Sequence, residues 1–213
     1  MLIKFGLMIC TVFTLIRNGD SEMDKFGSFW GSCPEQPINS SLSSTPWDIQ
    51  GRWYTHWILG QYSPWKYTEC QSNEIHGGGS QKTTVVTRFK DHFTQMFVEW
   101  NGDVHILDSD IGKYVFDYNM YDWFLSQNTV FLQIYPQGAA LVWTCMEFDT
   151  FHFESVAVMT RYQDPHDHRV YHRIFENMND ILRNYGISPT WLEQINQSSC
   201  EQIDSSIAHQ SFL

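Results

Sequence analysis

Long apolar runs are scarce in this sequence, and so are basic residues. Phe5–Ile16 is the one apolar stretch of note, and it is too short to span a bilayer, so the mature chain is expected to carry no transmembrane segment. Lysine and arginine together number 13 against 24 aspartates and glutamates, which gives a formal net charge of −11. A chain this acidic repels phosphate backbones and anionic lipid surfaces, so we expect no nucleic-acid partner.

The local motifs of common enzyme and metal-binding classes are also missing. The sequence contains no G-x-S-x-G and no H-E-x-x-H, and "GGGS" at Gly77–Ser80 lacks the lysine and helix of a phosphate-binding loop. His166, His168 and His172 lie close together beside acidic residues, which is more typical of a solvated helix start than of a metal site. We therefore predict neither a metal site nor an enzyme.

Cysteine is scarce, with five residues in the chain. The first, Cys10, lies in the apolar stretch that follows Lys4, and the small residues Gly19 and Ser21 come next, so residues 1–21 are predicted to be a cleaved secretory signal. An even number of cysteines in a secreted, extracellular chain predicts two disulfides, and spacing alone does not choose among the possible pairings. The cysteines that follow the signal are Cys33, Cys70, Cys145 and Cys200.

Two polar segments flank the main part of the chain. Residues 22–46 are rich in serine and proline and show no hydrophobic period, so we predict an N-terminal arm. Residues 201–213 are predicted to form a flexible tail. Asn39 and Asn196 each begin an N-x-S sequon, and both are predicted glycosylation sites in a secreted protein.

Aromatic residues are abundant, at 16% of the chain, and they recur in short runs between residue 47 and about residue 162. Runs rich in Val, Thr, Tyr, Phe and Trp predict β-strands, and turn sequences such as "NGD" and "PQG" separate them. Many short strands with tight connections indicate an antiparallel barrel or sandwich. The runs are "GRWYTHWIL", "KTTVVTRF", "FTQMFVEW", "KYVFDY", "TVFLQIY", "AALVWTC" and "SVAVMTRY".

A different pattern follows Asp164. Apolar residues recur with a helical period as far as Tyr185, and Gly186 and Pro189 then provide a stop. One amphipathic helix after about eight strands must pack on the outside of the sheet. A closed barrel removes edge strands and leaves room for one small ligand, whereas a sandwich has no need of a single terminal helix. We therefore predict an all-β, eight-stranded antiparallel up-and-down barrel with one C-terminal helix, over residues 47–200.

The alternation of residues along each strand predicts which aromatic side chains face the inside of the barrel. In "GKYVFDYN", Tyr114, Phe116 and Tyr118 share one face, and an aromatic face opposite a mixed one suits a cavity wall. Ordinary core packing is the alternative for each of these residues. The candidate ligand-binding residues are Trp57, Phe97, Tyr114, Phe116, Tyr118, Trp123, Phe131 and Tyr135.

Two short motifs mark the ends of the predicted barrel. "GRW" at Gly51–Trp53 opens the first strand, and Arg161 in "VMTRYQDP" follows the last. With the late "YGISPTWLEQINQSSC", these motifs resemble the lipocalin family, and within it the apolipoprotein D-like and insect bilin-binding group, over about residues 30–200. The resemblance implies that Gly51, Trp53 and Arg161 form the barrel floor, with the arginine packed across the tryptophan. The family's T-D-Y block is replaced here by Ile134-Tyr135-Pro136.

The same resemblance implies two disulfides and a class of ligand. The pairing carried over from the apolipoprotein D-like group is Cys33–Cys145 and Cys70–Cys200. The ligand would be a small hydrophobic molecule such as a pigment, bilin or other tetrapyrrole, carotenoid, retinoid, steroid or fatty acid, and no cofactor is required. A prostaglandin isomerase of the family uses a free cavity thiol, which paired cysteines do not supply.

These observations predict a secreted carrier that binds a small hydrophobic molecule for transport, storage or sequestration. Two alternatives stay open. In one, aromatic side chains fill the barrel, and the protein serves extracellular interaction or pigment assembly through an apolar patch. In the other, the protein is a lipid-modifying enzyme. The sequence does not indicate an oligomeric state or a receptor.

Overall fold

The computed structural model describes residues 28–34, 46–60, 67–77, 82–108, 112–120, 123–164, 169–198 and 200. The predicted signal, Asn39, His166, His168 and the predicted tail lie outside these residues. The backbone of Trp123 is described, but its side chain is not.

Eight antiparallel strands follow one another around a closed ring. Each strand pairs with the next along the chain, and the last also pairs with the first, through Tyr54–Leu59. The predicted all-β barrel is therefore confirmed. Its strands are β2 (Gly51–Leu59), β3 (Thr68–His76), β4 (Thr84–Asp91), β5 (Phe97–Asp108), β6 (Lys113–Met120), β7 (Trp123–Tyr135), β8 (Ala139–Phe148) and β9 (Phe151–Thr160).

Short elements extend the barrel at its seam. A strand β1 (Ser28–Trp30) pairs with β9, and β10 (Glu193–Gln194) pairs with β2. One turn of helix, α1 (Pro46–Ile49), leads into β2, and a 3-10 turn (Pro189–Trp191) leads into β10. These pairings hold both flanks of the chain against the barrel wall.

Helix α2 (Arg169–Asn184) packs on the outside of the barrel, as its apolar stripe predicts. Its buried residues contact an outer cluster from β7, β8 and β9 that includes Leu141 and Trp143. The helix ends where predicted, because Gly186 adopts φ +73° and the N–H of Ile187 donates to the carbonyl of Leu182 at 2.9 Å. In the described part of the chain, no helix combines the length and apolarity of a membrane span.

The disulfides join both flanks of the chain to the barrel. Cys33 bonds to Cys145 on β8, and Cys200 bonds to Cys70 on β3. The pairing implied by the family resemblance is confirmed. The bonded residues are 112 and 130 positions apart, so both bonds close long loops.

The outer face of β2–β5 carries a network of ion pairs. Arg88 contacts Glu74 at 2.6 Å and Glu99 at 2.9 Å, and Arg52 contacts Glu74 at 2.8 Å. Burial acts to raise the pKa of Glu74, but its hydrogen bonds and charge interactions with the two arginines outweigh burial and hold that pKa below its usual value. This face is therefore built for solvent, whereas the α2 face is apolar.

Candidate ligand-binding site

One end of the barrel is sealed by Trp53. Its side chain is 1% exposed, and its indole N–H donates to the carbonyl of Ile49 at 2.7 Å. The guanidinium carbon of Arg161 lies 3.7 Å from the centre of the Trp53 ring, which is the arrangement that the resemblance implies. Burial lowers the pKa of Arg161 to about 10, so the guanidinium stays charged at neutral pH.

Two glycines make room for that arginine. A Cβ added to Gly51 would lie 2.8 Å from Nη1 of Arg161, and one added to Gly138 would lie 2.6 Å from Cγ of the same side chain. Both glycines have positive φ, at +94° and +83°, where a side chain is strained. The glycine of the "GRW" motif thus leaves the space that Arg161 needs to pack on Trp53.

Above the floor, four of the predicted aromatic residues face the barrel interior. Tyr114, Phe116, Tyr118 and Phe131 are all buried in the inner core cluster. The ring of Phe131 lies 6.2 Å from that of Trp53 and 5.9 Å from that of Tyr114. The alternation of residues on β6 therefore predicts which side chains point inward, but Phe116 and Phe131 line the cavity whereas Tyr114 and Tyr118 are packed in the core.

Further aromatic rings fill the β4–β6 side of the interior. Phe89 meets Trp100 edge-to-face at 5.0 Å, and Trp100 lies 5.8 Å from Tyr118. Val98, Val104 and Leu125 complete this packing. No residue of β4 or β5 lines the interior cavity, which lies on the opposite side of the barrel.

The cavity holds about 30 Å³ of space that the centre of a water molecule can reach. That volume suits a few water molecules, whereas a pocket for a drug-sized ligand needs roughly 300 Å³ or more. Side chains of β2, β3, β6, β7, β8 and β9 form its walls. They are Trp53, Thr55, Ile58, Gln71, Asn73, Ile75, Phe116, Gln127, Thr129, Phe131, Val142, Thr144, Ser155, Ala157 and Met159.

Polar side chains make up nearly half of this lining. Within the inner core, Thr87 donates to Oδ1 of Asn73 at 2.7 Å and shares a 2.9 Å hydrogen bond with the hydroxyl of Tyr118. Burial raises the pKa of Tyr118 well above its ordinary value, against the lowering effect of Thr87, so the phenol is neutral. Thr144 and Ser155 pair across β8 and β9 at 2.6 Å. These groups satisfy one another and fix the polar wall.

Three buried polar atoms of the same cavity lack a hydrogen-bond partner among the described residues. They are Oγ1 of Thr55, Oε1 of Gln71 and Oε1 of Gln127. All three residues line the cavity, and each is at least nine-tenths buried. Unpartnered buried polar atoms are rare in native proteins and call for a partner such as water or a ligand.

Trp57 and Tyr135 lie on the outer face of the barrel, contrary to the prediction. Trp57 packs edge-to-face on Phe175 of α2 at 4.7 Å, and the hydroxyl of Tyr135 donates to Oδ1 of Asn177. A bulge between Thr55 and Trp57 on β2 inserts one residue and inverts the alternation beyond it. Ile58 thereby faces the cavity in place of Trp57.

The same device acts on β7. The register with β8 shifts between Phe131 and Gln133, so Ile134 rather than Tyr135 packs against the inner core. Ile134-Tyr135-Pro136, which replaces the family's T-D-Y block, therefore leads into a turn that α2 contacts from outside the barrel. Tyr171 of α2 donates to the carbonyl of Gln137 at 2.9 Å in the same turn.

An outer groove runs between Trp57 and α2. It encloses about 440 Å³, far more than the interior cavity, and is open to solvent. Val158, Phe175 and Met178 form apolar walls, and Arg183 lies at its edge. Any binding experiment on this protein must therefore separate the groove from the barrel.

The other predicted site residues occupy varied positions. Phe97 packs against the Cys70–Cys200 disulfide instead of facing the cavity, because Val98 and Trp100 are the inward residues of β5. Asn196 is exposed, as a glycan site requires. Among the described residues no group of His, Cys, Asp and Glu has the arrangement of a metal site, and His172 lies 3.6 Å from Glu176 on the exposed face of α2.

Comparison with known proteins gives matches in structure alone. No protein-family model and no curated protein sequence matches the chain. Insecticyanin from the tobacco hornworm Manduca sexta matches with a TM-score of 0.66 at 14% identity, over 82% of this chain and 90% of that one. Lobster apocrustacyanin A1 gives 0.61 at 14% identity, over 88% and 98%. A mutant of LTBP1 in complex with leukotriene C4 gives 0.54 at 12% identity, over 78% and 97%.

The chain has the lipocalin fold. The structures that it matches include several such barrels of nearly the same extent, so the likeness covers the whole architecture and not one motif. At these identities the likeness establishes the fold, and the chemistry must come from the residues of this chain.

Proposed function

We propose that this protein is a secreted carrier that binds a small hydrophobic molecule inside the barrel for transport, storage or sequestration. The observation that carries this proposal is the interior cavity, with one apolar and one polar wall, a sealed floor at Trp53 and three polar atoms that lack a partner among the described residues. Burial of an apolar ligand there gains roughly 25 cal/mol per Å² of apolar surface removed from water. The polar atoms would orient it.

Two further observations support the proposal. The structurally similar LTBP1 was solved with leukotriene C4, and a siderocalin with a TM-score of 0.51 has dual ligand specificities. The two disulfides suit an oxidising compartment and agree with secretion and with membership of the apolipoprotein D-like and bilin-binding group. Glycosylation at Asn196, on an exposed side chain, is part of the same proposal.

Binding of a molecule as large as a retinoid or bilin requires interior side chains to move. Met159 lines the cavity, Met146 lies in the same inner core, and methionine adapts its shape more readily than other apolar residues. Phe131 and Phe116 also line the free space. We propose that the ligand displaces these side chains and leaves the floor intact.

The small cavity favours a second candidate function. A barrel filled by its own side chains would serve contacts between proteins, and exposed apolar residues at the end opposite the floor offer such a surface. Trp30 is 75% exposed there, and Phe93 is 66% exposed and packs on Tyr67 at 5.3 Å. In this function the protein would show no ligand uptake and would associate with copies or partners.

Tryptophan fluorescence distinguishes the two functions. Trp53 lines the cavity, so a ligand there is expected to quench part of the emission saturably, with a micromolar or lower dissociation constant. The panel is biliverdin, retinol, retinoic acid, a carotenoid, arachidonic acid and progesterone, with N-acetyltryptophanamide as the control for inner-filter effects. Flat titrations across the panel, together with a dimer or larger assembly by light scattering, would favour the filled barrel.

A further inference from the structure

The unpartnered atoms of the cavity differ in whether they donate or accept hydrogen bonds. An amide oxygen only accepts hydrogen bonds, so Oε1 of Gln71 and Oε1 of Gln127 each need a donor. Oγ1 of Thr55 both donates and accepts. The three atoms lie on β3, β7 and β2, around one cavity. Among these three unpartnered atoms, acceptors therefore outnumber donors.

The amide of Gln127 makes one hydrogen bond beside the cavity. Its Nε2 donates to Oγ1 of Thr129 at 3.2 Å, and its Oε1 has no partner among the described residues. Thr144 and Ser155 are hydrogen-bonded to each other, and Asn73 is hydrogen-bonded to Thr87, so each of these side chains has at least one partner. In the described part of the chain, the buried polar side-chain atoms that lack a hydrogen bond are the two glutamine oxygens and Oγ1 of Thr55.

Charged side chains are absent from the lining formed by the described residues. None of the 15 lining residues is Asp, Glu, Lys, Arg or His. Arg161 lies against Trp53 without lining the cavity, and it donates to the carbonyls of Arg52 and Asp48. A carboxylate in this cavity would lose its hydration, find no cation and face the lone pairs of the glutamine oxygens, which is strongly unfavourable.

We infer that the cavity selects neutral ligands whose buried end carries an O–H or N–H donor, such as a long-chain or polyene alcohol, and rejects the matching carboxylates. This inference rests on the proposed carrier function and adds its ligand chemistry. A hydroxyl has one hydrogen and donates to one glutamine oxygen at a time, so a ligand O–H keeps either Gln71 or Gln127 paired after water leaves. A hydrocarbon end cannot do this, and an anionic end cannot be paired.

Matched alcohols and acids test the inference. Retinol with retinoic acid, and hexadecan-1-ol with palmitic acid, are titrated into the full chain at neutral pH by tryptophan fluorescence and calorimetry. In each alcohol–acid pair that binds, we expect the alcohol to bind at least about tenfold more tightly than the acid. The reason is that the acid is ionised at neutral pH and brings an unpaired charge into the cavity, whereas the alcohol is neutral. Gln71→Met and Gln127→Met keep the length of the side chain and remove its acceptor, and each is expected to reduce that preference several-fold.

A neighbouring glutamine provides the control. Gln133 on β7 does not line the cavity, so Gln133→Met is expected to keep the full preference for the alcohol. A purely structural role for Gln71 predicts a lower Tm for ligand-free Gln71→Met, whereas a ligand-facing acceptor predicts a Tm equal to or above that of the wild type.

The outcomes separate the inference from the function beneath it. Equal or tighter binding of the acids, or an unchanged preference in both cavity variants, overturns the inference and leaves the carrier function standing. Failure of all four probes to bind overturns the inference and counts against the carrier function as well.

Discussion

Replacing Trp53 with alanine is expected to lower the free energy of unfolding by about 4 kcal/mol. The indole is fully enclosed, contacts Phe131 and the Arg161 guanidinium, and donates to Ile49. Its removal leaves a void at the barrel floor, an unpaired carbonyl and a half-buried arginine without its aromatic partner. Chemical denaturation followed by circular dichroism measures the loss.

Two variants frame this result. Trp30→Ala removes a tryptophan that is 75% exposed and is expected to change stability by no more than about 0.5 kcal/mol. Trp53→Phe keeps an aromatic face under Arg161 but loses the N–H donor, so its loss is expected to fall between the other two. A Trp53→Ala protein within 1 kcal/mol (about the spread of ordinary point mutants) of the wild type would show that the floor is not sealed by this residue.

Removing the Cys70–Cys200 disulfide is expected to lower the free energy of unfolding by about 3–5 kcal/mol. The bond closes a loop across 130 positions of sequence, so its loss restores much freedom to the unfolded chain. The segment it holds also carries contacts of the folded state. Gln197 donates to the carbonyls of Thr55 and Gln71 at 2.7 and 2.9 Å. The double variant Cys70→Ala/Cys200→Ala, unfolded in urea without reductant, gives the measurement.

The second disulfide provides the comparison. Cys33→Ala/Cys145→Ala opens a loop of similar length and is expected to cost a similar amount, and titration of the mature wild type under denaturing conditions is expected to find no free thiol. That titration also tests whether the chain has a free thiol of the kind that the family's prostaglandin isomerase uses. Free thiols in the wild type, or a double variant as stable as the wild type, would contradict the account.

The architecture could be predicted because its signals are local. Runs rich in valine, threonine and aromatic residues, separated by turn sequences, predicted most strands. Apolar residues at a helical period, followed by a glycine, predicted the helix α2, which is 16 residues long. The outward position of the helix followed from its single apolar stripe. The disulfide pairing came from the family resemblance, because cysteine spacing alone does not determine it.

The facing of individual aromatic side chains could not be predicted throughout. Simple alternation is correct along β6, which has a regular register with β7. It fails for Trp57 and Tyr135, where bulges on β2 and β7 insert one residue before them. A bulge depends on how two strands pair, and no local residue pattern predicted the bulge on β2 or the bulge on β7.

The polar half of the cavity is what sequence reasoning missed. Strand β3, "TECQSNEIH", is poor in apolar residues and lies outside the runs that predicted strands, yet it supplies Gln71 and Asn73 to the cavity. Gln127 and Thr129 share the inward face of β7 with Phe131, but the prediction from aromatic residues did not include them. The available signal was topological, since an up-and-down barrel of eight strands requires one strand between β2 and β4.

Ligand placement decides the central claim, and two adjacent residues of β9 test it. Ala157 faces the cavity and Val158 faces the outer groove, so Ala157→Leu fills the barrel while Val158→Leu fills only the groove. The dissociation constant of the most tightly bound panel ligand is measured by fluorescence for both variants, with circular dichroism to verify folding and Ala157→Val as a smaller change. The account predicts at least about tenfold weaker binding in Ala157→Leu and near wild-type binding in Val158→Leu. Unchanged binding in Ala157→Leu, with loss in Val158→Leu, would place the ligand outside the barrel and contradict the account.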